Sequence, residues 1–244
     1  MNLELFPWGV FIILSFLGLI ALSLALPLSM KPLRWLLAIV ILLVLIGSGL
    51  VLASQDGFQA SALAGWLSGQ TQNSQINRIF GWALIMGVSV GLILLVTLRL
   101  LSRGPLPQLR SRFADEVKYP LWKRLVIAFY SGILEEIIFR LFLLSLVAWL
   151  LGQVWQTADG HPATGALWLS NVLAALLFGL VHLPRWSNFT RLSPGFILLI
   201  IAMNGLGGIA FGYLFLTYGI EAAIIAHFIG DSLLHVIGPN IITA

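Results

Sequence analysis

The sequence predicts an all-α, polytopic transmembrane helical bundle of about seven spans, and three observations lead there. Of its 244 residues, 59% are hydrophobic and only 9% are charged, a balance that a soluble domain does not carry. The apolar residues are gathered into runs near 7–28, 33–53, 79–101, 121–151, 166–183, 194–217 and 221–238. Each run has about the 20 residues a helix needs to cross ~30 Å of hydrocarbon. Most of the charges fall between the runs. Backbone groups in lipid must be satisfied within their own segment, so runs this long and uniform predict helices and not barrel strands.

The first run is preceded by Glu4 and by no Lys or Arg. It is too long for the apolar part of a signal peptide and is expected to stay as a span. Between the second and third runs, Ser54 to Arg78 is rich in Ser, Gln, Asn and Gly, with Asp56 and Arg78 its charged residues. It reads as a loop with a short interfacial helix around Ala60 to Leu67. The next connection is strongly basic: Arg99, Arg103, Arg110, Arg112, Lys118, Lys123 and Arg124 stand against Asp115 and Glu116, which marks the cytoplasmic side. Alternation then puts Lys31, Arg34, Arg185 and Arg191 on that side as well. Asp56, Asp159 and Glu221 fall on the other. The expected topology is N-out, C-in, in a bacterial inner (cytoplasmic) membrane.

The net charge of +4 is therefore a topological signal, and no nucleic-acid partner is read from it. The chain has no cysteine, which removes disulfides, zinc–thiolate sites and cysteine nucleophiles. Asn188-Phe189-Thr190 matches a glycosylation acceptor but falls on a cytoplasmic loop, where it carries no meaning. Gly205, Gly208 and Gly212 in the sixth run suit close helix packing through small residues. Asn204 beside them is expected to bond to a neighbouring helix. No internal repeat is found. Two parts follow: residues 1–120, with three spans and the basic loop, and residues 121–244, which hold the intramembrane polar groups.

Those polar groups are the candidate functional residues. Glu135, Glu136 and Arg140 lie within six residues inside the run 121–151. A charge at mid-bilayer costs roughly 2.5 to 3.5 kcal/mol even on insertion scales, so the three must be paired or must line a wet cavity. Residues four apart share a helix face, which puts Glu136 against Arg140. Glu135 lies about 140° around the helix from Arg140, on the stripe of Ser131 and Phe139, and is left free to face a cavity. His182 ends the fifth run, with Phe178 one turn back on the same face. His227, Asp231 and His235 lie at i, i+4 and i+8 in the last run and are expected to stack on one face, where the Asp can bond either imidazole. Counting ~1.5 Å per residue puts Glu135 near mid-membrane and His182 near the cytoplasmic surface, roughly 10 Å apart in depth for upright helices. Tilt or a shifted span boundary would close the gap. Taken together, Glu135, His182, His227 and Asp231 are the parts of an acid/base site.

Glu135-Glu136-x-x-x-Arg140, then Phe178-x-x-x-His182, then His227-x-x-x-Asp231, in this order and on successive apolar helices, resemble the signature of the CPBP family of intramembrane proteases. That family includes type II CAAX prenyl endopeptidases and bacteriocin-processing or immunity proteins. The resemblance covers residues 122 to 238. It implies a glutamate-type intramembrane endopeptidase acting on a membrane-associated protein or peptide. Glu135 and His182 would activate water, and His227 and Asp231 would supply the oxyanion site. Glu136, Arg140 and Phe178 would hold structure. No cofactor is implied. The chain departs from the CAAX branch in carrying Asp231 where that branch has Asn. An ionised Asp cannot donate a hydrogen bond, so Asp231 must be protonated or must orient His227 through its other nitrogen.

Three other readings stand beside this one. Glu, His, His and Asp are acceptable zinc ligands, so the site could serve a metal-dependent protease. Intramembrane Glu, His and Asp could relay protons or bind a cation in a transporter. A catalytically silent binding or immunity protein could keep the same residues for packing.

Overall fold

The computed structural model describes residues 6–57, 61–67, 69, 73–188 and 190–244. Glu4, Ala60 and Phe189 lie outside the described residues. Helices make up the architecture: α1 (Trp8–Ala25), α2 (Pro32–Gln55), α3 (Ala62–Leu67), α4 (Asn73–Arg103), α5 (Gln108–Val117), α6 (Leu121–Glu136), α7 (Ser145–Gly152), α8 (Thr164–Val181), α9 (Leu183–Ser187), α10 (Pro194–Tyr218), α11 (Ile220–Ser232) and α12 (Gly238–Thr243). Two π-helical stretches, Ile137–Leu144 and Leu233–Ile237, join α6 to α7 and α11 to α12 without a break.

Six helical segments are long and apolar enough to cross a membrane by themselves: Trp8–Ala25, Pro32–Gln55, Asn73–Arg103, Thr164–Ser187, Pro194–Tyr218 and Ile220–Thr243. The unbroken helix from Leu121 to Gly152 is the seventh expected span. It differs in being α–π–α and in carrying Glu135, Glu136 and Arg140 at the α–π junction. Lipid-facing positions such as Phe16, Val44 and Val96 are exposed apolar residues, as a bundle immersed in hydrocarbon requires.

Sequence punctuation sets the helix ends. Pro32 and Pro194 sit in the first turns of α2 and α10, where a missing N–H costs nothing. Ser193 caps α10 by accepting from the Phe196 N–H. Gly219 turns α10 directly into α11 at φ +92°, a backbone conformation that glycine supports. Glu221, just beyond it, accepts from the Ser61 hydroxyl and from the Ala62 and Leu63 N–H groups, tying α3 to α11.

The hydrophobic core draws on both halves of the chain, including Val10, Leu42, Val90, Ile133, Leu141, Phe211 and Ala226. Gly208 explains how α10 approaches α8: a Cβ there would lie 2.7 Å from the Ala175 Cβ, so only glycine permits the contact. A Cβ on Gly212 would run into the Asn171 side chain, whereas one on Gly205 would meet nothing closer than 3.9 Å. Among the described residues Asn204 bonds within its own helix and not to a neighbouring one, its amide donating to the Ile200 carbonyl at 2.8 Å.

Candidate active site

The end of α6 separates two adjacent carboxylates. The Glu136 side chain is 0% exposed, while that of Glu135 is 28% exposed and lines a cavity of about 120 Å³. The cause is helical geometry, since successive residues point about 100° apart. Glu136 turns into the bundle and meets Arg140 at 2.6 Å. Arg140 also donates to the Gly208 carbonyl at 3.3 Å and lies over the Phe178 ring, 4.7 Å from its centroid. Gly208, which lets the backbones approach, thus also supplies a partner for the guanidinium.

His227 on α11 reaches the same carboxylate. Its Nδ1 is 2.6 Å from Glu136 Oε1, across 91 residues of sequence. A carboxylate oxygen in this pairing accepts, so Nδ1 carries a proton and the Nε2 edge faces the cavity. There it lies 3.7 Å from Glu135 Oε2 and 3.6 Å from Asp231 Oδ2. His182, at the end of α8, is held in the same manner: its Nδ1 donates to the Phe178 carbonyl one turn back, at 2.7 Å. Its Nε2 then faces Glu135 Oε2 at 4.0 Å. Phe178 supplies both this carbonyl and a ring packed on His182, Phe139 and Arg140.

Glu135, His182, His227 and Asp231 therefore share one cavity. Their nearest separations of 3.6 to 4.0 Å exceed direct hydrogen bonds, so these groups face one another across the cavity without bonding directly. The expected depth gap between Glu135 and His182 is not present. The fifth span continues through α9 to Ser187, past the end of the apolar run at 183, so His182 lies about five residues, roughly 8 Å, inside the end of the span.

In the last span His227, Asp231 and His235 all line the Glu135 cavity, but the partners of the two imidazoles differ from those the helix stripe offers. A π-helical stretch begins at Leu233, between Asp231 and His235. His235 does not bond Asp231; its Nδ1 bonds Glu116 Oε2 of α5 at 2.9 Å. Nor does Asp231 hold the other nitrogen of His227, because Glu136 occupies it. Asp231 instead accepts from the Ser131 hydroxyl at 2.6 Å. Ser131 was visible only as the residue one turn before Glu135 on the same stripe. Its partner, 100 positions away, left no signal in the sequence. Among the described residues no group of three or more His, Asp or Glu is arranged to hold a metal ion.

Residues 117–233 match the family model described as type II CAAX prenyl endopeptidase, Rce1-like. The match contains Glu135, Glu136, Arg140, Phe178, His182, His227 and Asp231, and leaves α1 to α4 outside it. No curated protein and no solved structure matches the chain.

Proposed function

We propose, from the premise that residues 117–233 belong to the Rce1-like type II CAAX prenyl endopeptidase family, that this integral membrane protein is a glutamate-type endopeptidase hydrolysing a peptide bond of a membrane-associated protein or peptide. One observation carries the reading: Glu135 Oε2 and the Nε2 atoms of His182 and His227 converge within 4.0 Å on one cavity. A water between Glu135 and His182 gives its proton to Glu135, with His182 Nε2 accepting its second hydrogen bond and fixing its direction. The water oxygen attacks the scissile carbonyl carbon, and the resulting oxyanion is met by the Nε2–H of His227, which as an imidazolium donates from both nitrogens, Nδ1 to Glu136 and Nε2 into the cavity. The C–N bond breaks as Glu135 passes its proton to the leaving nitrogen.

Glu136 and Arg140 act behind this centre by holding His227 through Nδ1. Asp231, anchored by Ser131, flanks the oxyanion position. The cavity faces the side of the basic loops, which in the proposed N-out, C-in arrangement in a bacterial inner membrane is the cytosol. A prenylated C-terminus, a bacteriocin or signalling-peptide precursor and a membrane-anchored sorting tail all fit the proposed substrate class. The chemistry uses side chains of this chain and calls for no cofactor, so strong chelators should leave cleavage unchanged. Zinc-specific rescue of a chelator-inactivated enzyme would assign it to the metal-dependent class instead.

The function is tested by comparing, by mass spectrometry, the termini of membrane proteins and peptides in cells carrying the wild type and Glu135→Ala. At least one uncut precursor should accumulate in the variant. Identical termini in both cells would overturn the proposal.

A further inference from the structure

Beside the Glu135 cavity lies a second cavity of about 560 Å³. Arg112, Ile127, Arg185 and His235 line both, so the two adjoin. The second is basic: Arg112, Lys118, Lys123, Arg124 and Arg185 stand against Asp115 and Glu116. Both acids are already engaged. Asp115 pairs with Lys118 at 2.6 Å. Glu116 pairs with Arg112 and with His235. Burial pushes the Glu116 carboxyl up, but the hydrogen bond and charge of His235, with Arg112, outweigh it and hold the group below its ordinary value.

The uncompensated charge falls on Lys123, Arg185 and above all Arg124. Lys123 stacks on the Tyr119 ring at 4.3 Å. Arg185 has no hydrogen bond or ion pair among the described residues. Arg124 is only 5% exposed; one of its nitrogens donates to the Val236 carbonyl at 3.1 Å, and its Nε is buried without a partner among the described residues. No carboxylate lies within ion-pair distance of it among those residues. A guanidinium removed from water and given a single carbonyl is incompletely compensated, and its planar N–H fork fits two oxygens of an anion.

Depth decides which anion. Arg124 lies in the first turn of α6, immediately after Pro120, where the apolar run begins. Trp122 beside it is 66% exposed and Tyr119 is also exposed, the aromatic signature of the headgroup level. The anion abundant at that level is a lipid phosphate, and basic pockets between membrane helices hold such headgroups.

We propose that this cavity binds the phosphate of an anionic phospholipid, with Arg124 as the buried anchor and Arg185 and Lys123 as its outer contacts. The site adjoins the Glu135 cavity and shares Arg185 with its lining, and lipid retention reads it without any substrate.

The test uses the full chain in mild detergent, offered equal amounts of phosphatidylglycerol and phosphatidylcholine, with bound lipid counted by native mass spectrometry. Phosphatidylglycerol should be retained in about tenfold excess or more, given several cations acting on one headgroup. Arg124→Gln and Arg185→Gln should each remove most of that preference. Arg185 is exposed, so its variant keeps the test valid if Arg124→Gln fails to fold. Equal retention of the two lipids by the wild type, or a preference unchanged in Arg185→Gln, would overturn the proposal. Two further arms identify other occupants. Inorganic phosphate that raises the thermal midpoint of lipid-depleted wild type but not of Arg185→Gln, without any lipid preference, would assign the cavity to free phosphate. A peptide with a free C-terminal carboxylate that displaces phosphatidylglycerol when its C-terminal amide does not would assign it to substrate.

Discussion

Two networks of the same composition stand one above the other in this bundle. The inner one joins Arg140, Glu136 and His227; the outer joins Arg112, Glu116 and His235. Each Glu accepts from an Arg four residues away and from an imidazole Nδ1, each Arg lies over two aromatic rings, and the two histidines are eight residues apart on one continuous helix. Surroundings separate them. The inner side chains are 0 to 5% exposed, with Glu135 on the far side of the His227 ring. The outer ones are 9 to 17% exposed, on the interfacial helix α5, beside a large basic cavity. The same residues therefore do different work: the inner set fixes the direction of a ring that faces the Glu135 cavity, and the outer set ties α5 to the last helix.

The sharpest way to break the comparison is to remove one partner from each network. Arg140→Ala or Glu136→Gln orphans a fully buried charge and should cost about 3 to 5 kcal/mol. Arg112→Ala or Glu116→Gln should cost about 1 kcal/mol, because water can reach the partner left behind. Thermal unfolding in detergent gives both numbers, and equal losses would remove depth as the cause of the difference.

Asp231 sharpens the inner side, because it stands at the Nε2 edge of His227, whereas among the described residues no carboxylate stands at the Nε2 edge of His235. If Asp231 donates to the oxyanion, Asp231→Asn keeps a donor and should retain activity, while Asp231→Ala should lose about 100- to 1000-fold in turnover. Equal, severe loss in both variants across pH 5 to 9 would rule out the donor role and leave that of an ionised acceptor from Ser131.

The smallest effects are read through pH. Glu116 has a folded-state value below its ordinary one, so it binds fewer protons folded than unfolded. Its contribution is present above the ordinary carboxylate range and is lost as pH falls through the folded value. The gap in thermal midpoint between wild type and Glu116→Gln should therefore narrow on going from pH 6 to pH 3. Asp56, at the end of α2, has the opposite sign. Burial raises it to about 7, so its ionisation destabilises the fold as pH rises from about 4 to 7. Asp56→Asn should raise the midpoint at pH 8 and leave it unchanged at pH 3; a midpoint raised equally at both would mean that titration is not the cause.

Much of this fold was legible because lipid imposes a simple rule on composition: the apolar runs correspond to six crossing helices and to the composite helix from Leu121 to Gly152. Within one helix the rule of four also carried far, since it anticipated the facing of Glu136 to Arg140 and left Glu135 free. It carried less far where the backbone changes its hydrogen-bonding register, because apolar periodicity does not encode a π-helical turn, and it gave no sign that His235 bonds Glu116 of α5. Contacts between distant helices left no trace. The pairing of Glu136 with His227, of Ser131 with Asp231 and of Glu116 with His235 depends on how helices rotate about their axes, which packing decides. The depth of His182 was hidden for a simpler reason: Pro184 and Arg185 look like the end of a span, yet the helix runs on to Ser187.

The central claim is that two adjacent glutamates divide the work, Glu135 for cleavage and Glu136 for structure. It is tested most directly by measuring, on one reporter substrate and with one unfolding assay, the activity and thermal midpoint of Glu135→Gln and Glu136→Gln. The account predicts that Glu135→Gln is inactive with a wild-type midpoint and that Glu136→Gln is strongly destabilised. An active Glu135→Gln beside a fully stable, inactive Glu136→Gln would contradict it and exchange the two roles.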